Sequence, residues 1–389
     1  MTIKFPIYLD NNATTPVDPR VLEAMLPYFN EKFGNASSKH SFGYTANAAV
    51  EYAREQIAKL INAEANEIFF TSGATESINL VHFGIAGKSN SAKNHIISSN
   101  VEHSASYESL VQLQKQGIDV TFLKCDKRGF IRPEQVLEEI RPETILVSII
   151  AANNEIGTIN NISEIGNICR RNNILFHTDA TQAVGKIRID VQQMNIDFLS
   201  FSSHKIYGPK GVGALYIRKG IEKKIAPLMF GGGQEKGIRP GTLNTPGVVG
   251  FGKAAEICNA ELDEESKRIK SLRDYLYKKI VSSLDSIQLN GDLENRLSGN
   301  LNLLINGVKS DALMSNIRDI AFSTGATCSS DTGKPSRILK AIGLTDEEAK
   351  SSVRLGIGRF NTREEIEYAA EKFIDVITKL RLKNYHTIS

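Results

Sequence analysis

The sequence predicts an α/β fold, with a mainly parallel sheet and a smaller α+β unit, on three observations. From Glu67 to Arg218, short apolar runs of strand length alternate with longer segments whose apolar residues recur every three or four positions. That alternation is the pattern of strands joined by crossover helices. Two of the apolar runs lead into charged residues, Asp179 and Lys205, and ligands of such sheets sit outside the strands' carboxyl ends. Beyond about residue 260 the pattern changes to a long charged helix followed by short mixed elements. A chain of 389 residues has room for both units.

The elements follow in order. Tyr8 to Pro16 is irregular and rich in Asn and Thr. A helix then starts with Asp18 as N-cap and Pro19 in its first turn. Leu22, Met25, Leu26 and Phe29 form its apolar face, and Pro27 kinks or ends it. After a loop from Gly34 to Gly43, a helix over about 45–61 carries Ala46, Val50, Ala53, Ile57 and Leu60 on one stripe. Seven strands are predicted over 67–71, 95–99, 120–124, 144–151, 174–179, 197–202 and 213–218. Helices fall near 75–86, 104–116, 133–140 and 161–172, so the sheet is covered on both faces. A charged helix over 251–284, with Ile269, Leu272, Leu276 and Ile280 inward, leaves the large unit. Two strands within 287–306, a helix over 311–319, a strand and loop over 321–328, a helix over 335–342, a strand over 353–360 and a helix over 364–382 complete the chain. The expected division is a large domain over 17–260, with 1–16 and 261–389 forming the small one.

Composition narrows the function. A net charge of +3 demands neither nucleic acid nor an anionic membrane as partner. No uninterrupted apolar run of roughly eighteen residues exists to span a bilayer, and Met1 to Asp10 has no secretory pattern. Cys125, Cys169, Cys258 and Cys328 are far apart, which argues against a zinc site or a disulfide framework. A reducing cytoplasm is the expected compartment. His103 and His204 do not have metal-ligand spacing, so no metal is expected. Gly208-Pro-Lys-Gly-Val-Gly213 is not a dinucleotide fingerprint, and Gly333-Lys334 lacks the upstream glycine of a phosphate loop.

The chemistry points elsewhere. A lysine after a buried strand is costly as an ammonium unless paired or neutralised. Forming a Schiff base with an aldehyde cofactor removes that charge and creates a reactive imine, which is the sharp reading of Lys205; a surface lysine on a turn is the plain alternative. Asp179 lies 26 residues upstream, where it can pair with a ring cation or simply cap a turn. Gly73-Ala74-Thr75 opens a helix, where backbone N–H groups and the helix dipole favour an anion. His103 follows another strand end and titrates in the range useful for proton transfer. Cys328 sits in a polar stretch with glycines on both sides, in the setting of an exposed thiolate nucleophile; the other cysteines are expected to be inert.

These residues carry a resemblance. Tyr8-Leu-Asp-Asn-Asn-Ala-Thr-Thr-Pro16, Thr71-Ser-Gly-Ala-Thr-Glu76, Asn153-Asn-Glu-Ile-Gly157, Ser203-His-Lys205 and Arg239-Pro-Gly-Thr242 resemble, in order, motifs of the NifS/IscS-type (group I) cysteine desulfurases. These belong to the class-V aminotransferase family of fold-type-I PLP enzymes, and the likeness spans about residues 6 to 380. It implies pyridoxal 5′-phosphate anchored on Lys205, with Asp179 on the pyridine nitrogen, Gln182 on the ring oxygen and His103 over the ring. Ala74, Thr75, Ser202 and His204 would hold the phosphate, joined by Thr242 of the partner subunit in a homodimer with shared sites. Arg354, supported by Asn154, would clamp the substrate carboxylate. Cys328 would take the sulfur of L-cysteine as a persulfide, releasing alanine, and pass it to an acceptor protein. Iron–sulfur cluster assembly, tRNA thiolation and DNA phosphorothioation all stay open as destinations. The rivals are another PLP enzyme of this fold, an aminotransferase or a selenocysteine lyase, and a non-catalytic scaffold.

Overall fold

The computed structural model describes residues 3–89, 94–324 and 334–388. Seven strands form one sheet in the order Ile68–Thr71, Gly213–Ile217, Phe198–Ser202, Leu175–Asp179, Thr144–Ser148, His95–Ser99 and Asp119–Leu123. Gly213–Ile217 runs antiparallel to both of its neighbours, while every other pairing is parallel. Four of these strands are buried along their whole length on both faces, which suits their short, largely apolar runs broken by a buried His and several Ser. Helices Ala74–Ala86, Ser104–Lys115, Pro133–Glu139 and Ile162–Arg171 make the crossovers. Two apolar clusters flank the sheet, one including Phe70, Val147, Phe176, Leu199 and Phe201, the other Phe69, Ile96, Leu146, Phe198 and Leu215.

A third apolar cluster lies at the far end of the chain. Strands Ser323–Thr324, Ser352–Gly356, Asn300–Ile305 and Ile287–Leu289 pair antiparallel in that order. The long helix Thr245–Ser283, capped by the Asn244 side chain on Gly247 N–H, serves both regions. Its Val248, Phe251 and Ala255 join the sheet's core, and its Ile269, Leu272, Leu276 and Ile280 join the third cluster. Ile7 and Leu9 join that cluster too, because Ile7–Tyr8 pairs in parallel with Ile320–Ala321. The N-terminal segment then runs back to the end of Phe198–Ser202 in the large sheet, where Thr15 N–H donates to His204 O at 3.0 Å.

Several element ends differ from expectation. The helix expected from 45 starts at Ser41, capped by His40 Nδ1 accepting from Gly43 N–H. The strand expected over 144–151 stops at Ser148, and that over 353–360 stops at Gly356. The long helix starts at Thr245 rather than 251, with Pro246 in its first turn. A short helix, Asp346–Ala349, was not expected; a Thr345/Glu348 capping box closes it. The predicted inward face of the first helix is also corrected. Val21 and Met25 are buried, whereas Leu22, Leu26 and Phe29 are 49 %, 56 % and 61 % exposed.

Candidate active site

A cavity of about 770 Å³ opens where the parallel strands end. The sequence places the residues there for local reasons. Asp179 is the last residue of Leu175–Asp179, buried, with its Oδ1 accepting from Thr181 N–H and Oγ1. Lys205 closes the single 3₁₀ turn Ser203–Lys205 that follows Phe198–Ser202. Its Nζ donates to Asn12 O at 2.9 Å and to Ala13 O at 2.5 Å. His103 caps Ser104–Lys115, and its Nδ1 accepts from Ala105 N–H at 3.1 Å. In the neutral ring this leaves the proton on Nε2. Burial lowers the His103 pKa, Lys205 and Arg337 add to this, and Asp179 opposes it.

The anion cradle sits across the sheet's antiparallel end. Gly73 precedes Ala74–Ala86, so the first N–H groups of that helix face out of its end. Gly213 makes the approach possible: a Cβ there would meet Gly73 Cα at 2.6 Å. A Cβ on Gly73 itself would meet only Ser202 Oγ, at 3.9 Å, among described atoms. Ala74, Thr75, Ser202 and His204 all line the cavity here. His204 Nδ1 pairs with Thr14 Oγ1 at 3.0 Å, and burial, reinforced by Lys205, pushes its pKa down to about 4.

On the opposite wall, Arg354 is buried and three of its contacts fix it. Nη1 donates to Asn154 O at 3.2 Å, and Nη2 donates to Asp10 Oδ1 at 2.9 Å and Ser323 Oγ at 3.0 Å. Its Nε has no hydrogen-bond partner among the described residues. Asn154 lines the same cavity. Gln182 is buried, with Nε2 donating to Asn12 O at 2.8 Å and Oε1 accepting from Lys186 Nζ at 2.7 Å.

The structure therefore brings Lys205, Asp179, Gln182, His103, Ala74, Thr75, Ser202, His204, Arg354 and Asn154 around one cavity. Thr242 is exposed and does not line the cavity of its own chain. Cys328 lies outside the described residues. Cys169 and Cys258 are buried and Cys125 partly so, and burial pushes all three thiols up, which suits inert cysteines. Sequence reasoning missed Asp10, Asn12, Ser323 and Lys186. Asp10 and Asn12 lay inside a recognised motif; their signal was a run of polar residues with no helix or strand to place. Among the described residues, no group of three or more His, Cys, Asp or Glu could hold a metal ion.

The donor set fits a phosphorylated pyridine aldehyde. It offers an amine at Lys205, a buried carboxylate at Asp179, a helix N-terminus open beside Gly73, and a guanidinium at Arg354, held by Asp10 and Asn154, for a substrate carboxylate. An α/β sheet with such a strand-end pair defines a class, and the family model agrees. Aminotransferase class-V matches residues 7–369, and the chain belongs to that family. Within it, the chain is 50 % identical over 380 residues to cysteine desulfurase IscS of Anaeromyxobacter dehalogenans, covering 97 % of this chain and 94 % of that one. A solved NifS-like protein superposes with a TM-score of 0.89 at 38 % identity, over 96 % of this chain and 99 % of the other. The structure of SspA in complex with cysteine gives 0.82 at 39 %, over 92 % and 100 %.

Proposed function

We propose that this chain is a cysteine desulfurase that uses pyridoxal 5′-phosphate to move sulfur from L-cysteine to Cys328. The convergence of Lys205, Asp179 and the open helix end at Gly73 in one cavity carries the reading. When bound, the cofactor supplies an electron-withdrawing ring that stabilises negative charge at the substrate's α-carbon. Lys205 would anchor the cofactor, and its Nζ would serve as the base for the α-proton. Asp179 would hold the ring nitrogen's proton, and Gln182 would donate to the ring oxygen. The Ala74 and Thr75 end of the helix, with Ser202 and His204, holds the phosphate. His103 contributes a neutral ring whose Nε2–H faces the site. Arg354 binds the substrate carboxylate, and its pairing with Asp10 and Asn154 keeps it oriented before substrate arrives.

Cys328 supplies the nucleophile. Its thiolate attacks the sulfur of cysteine, an S–S bond forms as the C–S bond breaks, and the electron pair left on carbon is protonated to give alanine. The persulfide is then handed to an acceptor protein. The exposed Leu22, Leu26 and Phe29 face supports a homodimer in which Thr242 reaches the partner's phosphate site.

Borohydride trapping and peptide mass spectrometry test the anchor. The cofactor's mass is expected on Lys205 and absent from Lys205→Ala. Cys328→Ala should keep that label yet lose sulfide release by at least about 100-fold. Undiminished cysteine turnover in Cys328→Ala would overturn the desulfurase reading in favour of another PLP enzyme of this family.

A further inference from the structure

We propose that Lys186 is a positioning residue that fixes the orientation of the Gln182 amide, so that Gln182 can only donate into the cofactor cavity. This rests on the cofactor reading above. The two ends of a primary amide are nearly alike in shape, so its neighbours decide which way it points. Lys186 Nζ lies 2.7 Å from Gln182 Oε1. While Lys186 is protonated it offers donors and no acceptor, so the amide NH₂ cannot face it without setting donor against donor. On the other side, Gln182 Nε2 donates to Asn12 O at 2.8 Å, and the reversed amide would set oxygen against oxygen there. The Asn12 Nδ2 contact to Gln182 Oε1, at 3.4 Å, is weaker and acts in the same sense.

The same carbonyl ties this arrangement to the anchor. Asn12 O also accepts from Lys205 Nζ at 2.9 Å. A continuous path therefore runs from Lys186 through Gln182 to Asn12 O and Lys205. Local structure holds Lys186 in place: after Asp179 the chain makes tight turns, Val184 N–H donating to Ala180 O and Lys186 N–H to Ala183 O. These turns, with Gly185 at φ +71° between them, bring the Gln182 and Lys186 side chains together. The lysine lines a separate small cavity beside Asn11, Asn12, Thr15, Tyr207 and Glu265. A second lysine this close to the first is a cost that an ordinary core would avoid. Burial, then the charges of Lys205 and Arg354, lower the Lys186 pKa to about 7, with Cys258 and Glu265 opposing. An amine there that served packing alone would be better replaced by a methionine.

The test uses the full chain stripped of cofactor and titrated with pyridoxal phosphate. Lys186→Met keeps the shape and removes the donor. It should weaken cofactor binding roughly 10-fold, the scale of one hydrogen bond, and move the visible absorption maximum of the bound cofactor. Lys186→Gln, which restores a neutral donor, should recover most of both. In a Gln182→Ala background, Lys186→Met should cause no further loss. The assignment is overturned if folded Lys186→Met binds as wild type with an unmoved band, or if its loss is the same with and without Gln182. Should Lys186→Met not fold, Gln182→Ala alone and with Lys186→Gln decides: equal affinities support the assignment, an added loss overturns it. Failure of the wild-type chain itself to bind pyridoxal phosphate would overturn the cofactor reading and this one with it.

Discussion

At Arg354 a single side chain joins the two sheets' ends. Its Nη1 and Nη2 are held by Asn154 O, Asp10 and Ser323, and its Nε has no partner among the described residues. Arg354→Lys keeps a charge but cannot reproduce a planar fork. The expected result is a KM for cysteine raised roughly 10- to 100-fold, one to two charge-assisted hydrogen bonds, with cofactor affinity unchanged; steady-state kinetics and a cofactor titration check it. Glu102, beside His103, gives a second residue-scale test. Its carboxyl is fully buried, Oε1 accepts from Ser99 Oγ and Ile150 N–H, and Oε2 has no partner among the described residues. Burial raises its pKa from 4.5 to about 8. The folded protein therefore holds a proton that the unfolded chain has already released above 4.5. Stability then falls as pH rises from about 4.5 through about 8, by on the order of a few kcal/mol. Glu102→Gln, which has no such proton to lose, should melt with less dependence on pH between 5 and 9; equal slopes in thermal melts would refute it.

Among the elements, the strands were legible because burial on both faces makes them short, largely apolar runs, as with Ile96 and Ile97 or Phe198, Leu199 and Phe201. The helix ends were less so. The Ser41 start depends on a histidine cap, and the Asp346–Ala349 turn is too short to show periodicity. The cavity-lining positions were legible where a residue ends a strand, as Asp179 does, or closes the turn just after one, as Lys205 does. It was obscure where the N-terminal segment crosses back, since nothing local in Asp10 or Asn12 says that Arg354, Gln182 and Lys205 lie against them. The glycine at 213 belongs to this scale because it sets how closely a strand and a helix turn meet. Gly213→Ala would drive its Cβ to 2.6 Å from Gly73 Cα. The expected cost is about 1–3 kcal/mol in a denaturant melt, with weaker cofactor binding as Gly73 shifts. A variant that binds pyridoxal phosphate as wild type would show that the cradle does not need this contact.

Across the whole molecule, the exposed apolar side chains concentrate near the N-terminus. Leu22, Leu26, Phe29, Phe33, Phe42, Tyr44 and Tyr52 are all at least 49 % exposed, on or between three consecutive helices. Exposed apolar residues of this kind are what the proposed second copy would cover. Thr242 is exposed too and absent from its own chain's cavity, so a role at the phosphate requires that it reach another subunit's site. Complementation separates the two arrangements. Lys205→Ala removes the proposed anchor of its own chain. Thr242→Asp places a carboxylate where a phosphate donor is expected, and either homodimer should be inactive. A hybrid of the two, made by co-expression with different tags, has one site with both defects and one with neither if the threonine acts across the interface. It should show about half of wild-type desulfurase activity. If each site is built from one chain alone, both sites of the hybrid are defective and the activity is nil.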